Sequence, residues 1–181
     1  NLAMEVLTHP NLNLEHIDAS VLNLLMMPGD IPDRLQVNAC REAAEQLLQR
    51  FMSRDPEGLG PLHVHQRITK GLPGPSMFQA ISLVYDSFDE STEYFQSTAK
   101  TMRGWIRRER LGVADSERVM RLARVLVMAA QALGDFDEAR RYLRTKNFAL
   151  GGSTPLELMQ TAEGERIVLD ELQAHAEGGP L

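Results

Sequence analysis

The sequence predicts an all-α protein, and three observations support this. Helix-favouring Leu, Ala, Met, Glu, Gln and Arg are abundant, whereas aromatic residues make up 6% of the chain. Long runs of alternating β-branched residues, which are typical of strands, do not occur. Clusters of Gly and Pro separate segments in which apolar residues recur every three or four positions. With 181 residues, 43% of them hydrophobic, the chain can form one ordinary domain or two small ones.

Composition also limits the compartment and the cofactors. The single cysteine, Cys40, excludes an intramolecular disulfide and is expected to be a small buried residue of a helix. No apolar run approaches the roughly 20 residues that a membrane span needs. No signal peptide opens the sequence, and we expect Met4 to be the native start, with residues 1–3 a remnant ahead of it. We therefore expect a cytoplasmic protein without metal, cofactor or membrane contact.

Residues 1–70 are expected to form a helical extension. A first apolar helix, capped by Asp18 or Ser20, should end before Pro28-Gly29. A second helix should span about 32–52. The apolar stripe predicted for this second helix is Leu35, Ala39, Ala43, Leu47 and Phe51, widened by Val37, Ala44 and Leu48.

Two histidines near the end of this extension could suggest a metal site. His63 and His65 alternate, so on an extended segment both would point to one side. No Cys or carboxylate cluster accompanies them, which favours surface or capping histidines over zinc ligands. The Gly- and Pro-rich stretch 68–75 that follows predicts a domain boundary near residue 70.

Residues 71–113 have the plan of a helix-turn-helix domain. Ser76 is expected to begin one helix, and the capping box Ser87–Glu90 should open a short helix over about 88–95. After a turn at Gln96-Ser97, a third helix should run from Thr98 to Arg110. The turn lacks the glycine that is common between the helices of such motifs.

The third helix is basic on one side. Eight Lys or Arg lie between residues 100 and 124 against three Asp or Glu, although the net charge of the whole chain is −6. One face of the helix carries an apolar stripe of Ala99, Met102 and Ile106, which leaves the basic side chains free to meet DNA. A solvated basic face is the alternative, and we favour DNA contact. The candidate DNA-binding residues are Lys100, Thr101, Arg103, Arg107, Arg108 and Arg110.

The C-terminal half begins with a long helix, capped by Asp115 or Ser116 and ended by Gly134. Its apolar arc is wide, which predicts burial on two sides, in a core and in a dimer contact. The arginines of the opposite face are predicted to be solvated; they are Arg118, Arg121 and Arg124.

Three further helix starts follow. Asp135 should cap a short helix, and Thr154-Pro155-Leu156-Glu157 combines a capping threonine, a proline at the first helical position and a glutamate at the third. Thr161 should begin the final helix, which ends at Gly178-Gly179-Pro180. The residues expected to point inward from this helix are Ile167, Val168 and Leu172.

In order and spacing, four blocks of this half resemble the toxin-binding domain of Xre/MbcA/ParS-type antitoxins. The blocks are Ser116–Val125, Ala139–Arg144, Asn147–Leu158 and Thr161–Gly164. The core Gly151-Gly152-Ser153-Thr154-Pro155 is the most specific part, and the resemblance covers about Asp115 to Gly178. The three preceding helices lie where this family carries its Xre-like helix-turn-helix.

The resemblance implies a homodimeric, non-enzymatic antitoxin of a type II toxin–antitoxin module. Such a protein covers the active site of its cognate toxin, commonly a RES-domain enzyme that consumes NAD, and represses its own operon. Residues 114–181 would form the toxin-binding domain, with Glu177 and the terminal carboxylate facing basic groups that hold pyrophosphate. The tail from His175 lacks the aromatic residue that many relatives carry near the end. The residues implied to bind toxin are Asn147, Phe148, Gly151, Gly152, Leu172, His175, Glu177, Gly178 and Leu181.

Two other classes of protein are considered. A stand-alone dimeric helix-turn-helix regulator without a toxin partner fits the same basic segment. An enzyme is set aside, because the sequence has no nucleophile–base set, phosphate-binding loop, dinucleotide fingerprint or metal-ligand cluster at usable spacing, and its five histidines are scattered.

Overall fold

The computed structural model describes residues 12–54 and 60–179, and every regular element in these ranges is a helix. The all-α prediction is therefore confirmed. The helices are α1 (Leu14–Leu25), α2 (Val37–Met52), α3 (Pro61–Lys70), α4 (Pro75–Val84), α5 (Thr92–Phe95), α6 (Ala99–Ile106), α7 (Val113–Leu133), α8 (Phe136–Arg144), α9 (Pro155–Leu158) and α10 (Ala162–Ala176). Short 3-10 turns lie at Asp89–Ser91 and Phe148–Leu150.

These helices form two compact units. The N-terminal unit is Glu15–Ala123, and the C-terminal unit is Arg124–Leu181 together with residues 12–14 of the described chain. The division falls within α7, whereas the sequence predicted boundaries near residues 70 and 113. In the N-terminal unit α2 packs on α4, and α4 also contacts α6, so the predicted extension and the predicted helix-turn-helix share one compact unit.

The first two helices differ from their predicted limits and faces. Helix α1 begins at Leu14, so Asp18 and Ser20 lie inside it and do not cap it. Helix α2 begins at Val37, about one turn later than predicted. The residues that α2 buries are Val37, Ala44, Leu48 and Met52. Val37, Ala44 and Leu48, which widened the predicted stripe, are therefore confirmed as buried. The centre of the predicted stripe lies about 100° away around the helix, and its Ala39 and Ala43 are exposed.

The segment with His63 and His65 is helical, not extended as predicted. Helix α3 begins with Pro61 at its first position, a place where the missing N–H of proline costs nothing. Residues two apart on a helix point about 200° apart, so the two imidazoles do not share a side. Among the described residues, no group of three or more His, Cys, Asp or Glu could hold a metal ion.

Ser76 does not cap a helix either. Pro75 is the first residue of α4, and the buried Ser76 hydroxyl donates instead to the carbonyl of Leu25. The serine thus ties the start of α4 to the end of α1.

Helix α6 ends four residues earlier than predicted, at Ile106. The following segment leaves the helix because it pairs with the turn before α4. The Gly74 amide donates to the Arg108 carbonyl at 3.1 Å, and the Leu111 amide donates to the Leu72 carbonyl at 2.8 Å. Arg107, Arg108 and Arg110 therefore lie after the helix, on a loop that is held by long-range backbone bonds.

Helix α7 begins at Val113, so Asp115 and Ser116 lie inside it and do not cap it as predicted. It ends before Gly134 as predicted, and its wide apolar arc is buried within the chain itself, from Val119 to Ala130. The solvated-arginine prediction is wrong. The Arg124 guanidinium lies 3.0 Å from the Glu165 carboxylate, with both side chains less than a fifth exposed. Arg118 and Arg121 are half-buried, and Arg118 lies 3.7 Å from Asp115 on the same helix.

The helix starts after α7 were predicted correctly. The Asp135 carboxylate accepts from the first-turn amides of α8. Thr154 and Glu157 form the reciprocal capping box, with bonds of 3.1 and 3.2 Å between each backbone amide and the opposite side chain. Thr161 accepts from the Gly164 amide at 3.0 Å and begins α10.

Gly164, in the first turn of α10, lies against the backbone of Leu158 at the end of α9. A Cβ at this position would lie 1.7 Å from the carbonyl oxygen of Leu158, which is backbone and cannot rotate away. Substitution would therefore separate α9 from α10.

We predict that Gly164→Ala lowers the free energy of unfolding by about 3 kcal/mol or more. The matched control is Gly104→Ala, on the exposed side of α6, where a Cβ meets no atom within 4 Å. Because alanine favours helix, this control should raise stability by about 0.5–1 kcal/mol. Urea unfolding followed by circular dichroism measures both, and equal effects of the two substitutions would contradict this account of Gly164.

Candidate functional site

The loop between α8 and α9 is organised around Asn147. The Asn147 carbonyl accepts from the amides of Leu150 at 3.0 Å and Gly152 at 2.9 Å, and its side-chain oxygen accepts from Ala149 at 2.9 Å. The Asn147 amide donates to the Ser153 carbonyl at 3.0 Å. One residue therefore satisfies most of the polar backbone of the loop, which otherwise has only one 3-10 turn.

Two glycines complete the loop. Gly151 and Gly152 have φ angles of 69° and 81°, in the left-handed region that glycine enters without steric cost. Their conformation turns the chain back toward Thr154. The Gly-Gly-x-Thr-Pro core therefore consists of two glycines that the left-handed backbone favours, followed by the threonine that caps α9.

Phe148 is presented to solvent by this loop, with a relative exposure of 98%. Leu150, two residues later, is buried and anchors the same turn. A phenyl ring contributes to stability mainly by leaving water, so a fully exposed ring on a well-bonded loop adds almost nothing to folding. Exposed aromatic side chains of this kind are characteristic of protein–protein interfaces.

One face of α10 lies beside the loop. The Asn147 side-chain amide donates to the Glu171 carboxylate at 2.8 Å, which joins loop and helix. Ile167 and His175 are four residues before and after Glu171, so all three share that face. Ile167 is 40% exposed, contrary to the prediction that it points inward. We call Phe148, Ile167 and His175 the loop–helix surface.

The predicted toxin-binding residues differ in their exposure to solvent. Gly151, Gly152, Glu177 and Gly178 are exposed, and the His175 ring is half-buried with Nδ1 at 2.9 Å from the Gly179 carbonyl oxygen. Leu172 is fully buried beside Val168, so it belongs to the core of the C-terminal unit and not to a contact surface. Leu181 lies outside the described residues.

Ile167 and Glu171 were missed by the sequence interpretation. The buried face of α10 is formed by Gly164, Val168 and Leu172 at four-residue spacing, and the residue before each of the last two lies about 100° away. Counting from the Thr161 cap with that register would have placed Ile167 outside. The bond between Asn147 and Glu171 spans 24 positions and leaves no local sequence signal.

Tyr142, on α8, is half-buried close to Glu171. Burial raises the pKa of its phenol far above the ordinary value of 10.0, and the negative charge of Glu171 raises it further. The Tyr142 hydroxyl and the second carboxylate oxygen of Glu171 are both buried without a hydrogen-bond partner among the described residues.

The basic segment of the N-terminal unit is the second candidate site. Helix α5, the turn at Gln96 and helix α6 follow one another as predicted, and Gln96 takes the left-handed φ of 51° that glycine usually adopts in turns. Thr98 caps α6 by accepting from the Thr101 amide at 3.1 Å.

All six predicted DNA-binding residues are exposed. The Arg103 guanidinium lies 5.5 Å from the centre of the Phe88 ring, which directs it along the surface of its own unit. Within the described ranges, no salt bridge is formed by the other four cations, Lys100, Arg107, Arg108 and Arg110.

Comparison with known proteins assigns the C-terminal unit. Residues 128–178 match the family described as the antitoxin Xre/MbcA/ParS C-terminal toxin-binding domain. These residues are therefore similar to the toxin-binding domain of Xre/MbcA/ParS-type antitoxins. The protein named Antitoxin Xre from Pseudomonas putida is 28% identical over 125 residues, which cover 68% of this chain and 77% of that protein. These matches indicate an antitoxin of a toxin–antitoxin system.

The antitoxin domain includes the whole loop–helix surface, because the matched residues contain the Asn147–Gly152 loop and α10. The basic segment around α6 lies ahead of the match. Among the helices that the structure describes, none is long and apolar enough to cross a membrane.

We predict that Tyr142→Phe changes the pH dependence of stability. The unfolded chain loses the phenol proton near pH 10, whereas the folded state keeps it because its pKa is raised. The stability that this group contributes is therefore complete below about pH 10 and is lost above it, at about 1.4 kcal/mol per pH unit.

Below pH 10 the variant should equal or slightly exceed the wild type, because a buried hydroxyl without a partner is removed. Urea unfolding at several pH values between about 9 and 11 measures the difference. Parallel curves for the two proteins would show that the Tyr142 pKa is not raised in the folded state.

Proposed function

We propose that this antitoxin neutralises a cognate toxin by covering the toxin's active site with the loop–helix surface and the tail that follows it. The observation that carries this proposal is Phe148, a fully exposed aromatic ring on a hydrogen-bonded loop inside the antitoxin domain. Transferring a phenyl ring from water into an apolar pocket contributes about 1.5–3 kcal/mol, and a central aromatic anchor often contributes more.

Charge supports a basic partner surface. From residue 167 to residue 179 the chain has no Lys or Arg, and it exposes the carboxylates of Asp170 and Glu177. A RES-type toxin that degrades NAD needs basic groups to hold the pyrophosphate of its substrate. The acidic end of α10, together with His175 and Gly178, suits such a cleft in charge, and we extend the proposal to a toxin of this class.

We predict that Phe148→Ala weakens binding of the toxin encoded beside this gene by roughly 30-fold, the effect of losing a 2 kcal/mol anchor. Leu62→Ala is the matched control, because Leu62 is also an exposed apolar residue, at 69%, but lies on α3 of the N-terminal unit. Calorimetric titration and rescue of growth on co-expression are the measurements. Equal affinities of the wild type and Phe148→Ala would reject this surface.

The second part of the proposal is that a homodimer of this protein represses its own operon through the basic segment. Lys100 and Thr101 would contact DNA from α6, and Arg107, Arg108 and Arg110 from the loop behind it. Cations without an internal partner favour phosphate contact, since no ion pair has to be broken on binding. Two copies would present the two helices to half-sites of a palindromic operator.

We predict that replacing both Arg107 and Arg108 by Ala weakens operator binding and lowers the slope of log affinity against log salt by about 2. Toxin binding should stay unchanged. Arg166→Ala serves as control, since Arg166 is equally cationic and exposed but lies on α10. Mobility-shift titrations at several salt concentrations measure the slope, and an unaltered slope in the double variant would place DNA contact elsewhere.

A stand-alone dimeric helix-turn-helix regulator is the alternative, and the unpaired cations favour it as much as they favour the antitoxin. The exposed Phe148 favours the antitoxin, because an exposed aromatic ring is typical of a surface that binds another protein. Purification from the native host that yields no stoichiometric second protein would favour the regulator.

A further inference from the structure

We propose that Glu171 is a positioning residue that holds Phe148 in its binding orientation through Asn147, before any partner arrives. This inference rests on the proposed function. In this arrangement the Glu171 carboxylate accepts the hydrogen bond that fixes the Asn147–Gly152 loop to α10. The fixed loop can then expose the Phe148 ring to water without folding over it.

The hydrogen bonds converge on one side chain. Asn147 uses its carbonyl, its amide and its side-chain oxygen within the loop and the adjoining Ser153, which leaves the side-chain NH₂ to fix the loop to the rest of the unit. That group donates to Glu171 at 2.8 Å. Among the described residues, this is the one hydrogen bond that joins the Asn147–Gly152 loop to α10. A carboxylate acceptor makes it stronger than a bond between neutral groups.

The free energy that it costs to bury the Glu171 carboxylate also supports a positioning role. The second oxygen of Glu171 and the nearby Tyr142 hydroxyl are buried without partners among the described residues, which opposes folding. An apolar residue at position 171 would avoid the part of this penalty that the Glu171 oxygen contributes. The carboxylate therefore serves something other than the stability of α10, and the residue that it holds is the neighbour of Phe148.

A held loop changes how binding proceeds. If the backbone from 147 to 152 is ordered beforehand, Phe148 docks without the conformational entropy loss that a mobile loop would suffer. Removing the Glu171 acceptor should therefore weaken toxin binding only as long as Phe148 is present to be positioned. A residue that touched the toxin directly would act independently of Phe148.

A double-mutant cycle tests this with the toxin encoded beside the gene. Glu171→Ala should weaken binding roughly tenfold in the wild-type background, the effect of one charge-assisted hydrogen bond, and less than about twofold in the Phe148→Ala background. Glu163→Ala, at the other end of the same helix, should change neither. Equal losses in both backgrounds would overturn the positioning role, because Glu171 would then contact the toxin itself.

A second measurement needs no toxin. In ¹⁵N relaxation of the free protein, the amides of Ala149 and Gly152 should be ordered in the wild type and mobile in Glu171→Ala, with the rest of α10 unchanged. Glu171→Gln keeps an acceptor oxygen and should restore most of the order. Unchanged loop order in Glu171→Ala would overturn the proposal even if binding were weakened.

The two proposals fail in distinguishable ways. No binding by the wild type, or no effect of Phe148→Ala, contradicts the proposed function and the positioning role together. Intact binding through Phe148 with additive losses contradicts the positioning role alone.

Discussion

The hydrogen bonds of Asn147 are the interaction on which the candidate binding surface depends. A loop outside regular structure must find partners for its polar backbone groups, and here the amides of Ala149, Leu150 and Gly152 all donate to Asn147. Because the backbone is satisfied within the loop, the ring of Phe148 can stay in water without the segment collapsing onto it. Packing, capping and the two left-handed glycines all maintain this arrangement.

The two compact units carry opposite chemistry, which the net charge of −6 conceals. The N-terminal unit exposes Lys100, Arg107, Arg108 and Arg110 at and after α6, and none of them forms a salt bridge in the part of the chain that the structure describes. Such a surface suits a polyanion. The end of α10 is acidic and lies beside an exposed aromatic ring and an exposed isoleucine, which suits a basic protein cleft. Different parts of one chain can therefore serve DNA and a protein partner without competing for the same side chains.

Local signals predicted the C-terminal half well. The caps at Asp135, Thr154 and Thr161 were correct because a cap depends on residues within one helical turn. The features that the sequence did not predict depend on contacts between residues that are far apart in the chain. Helix α6 ends early because its following residues pair with the turn before α4. The packing of α2 on α4 selects one edge of the predicted apolar stripe, Val37, Ala44 and Leu48, for burial. The bond from Asn147 to Glu171 is equally non-local, so no pattern in the sequence predicts it.

The central claim is that the Asn147–Gly152 loop and α10 form the surface that meets the toxin. Hydrogen–deuterium exchange of the full chain, with and without the protein encoded beside its gene, tests this directly. The account predicts slower exchange at residues 147–152 and 167–178 in the complex, with α6 unaffected. Protection confined to the N-terminal unit, with the loop exchanging as in the free protein, would contradict it.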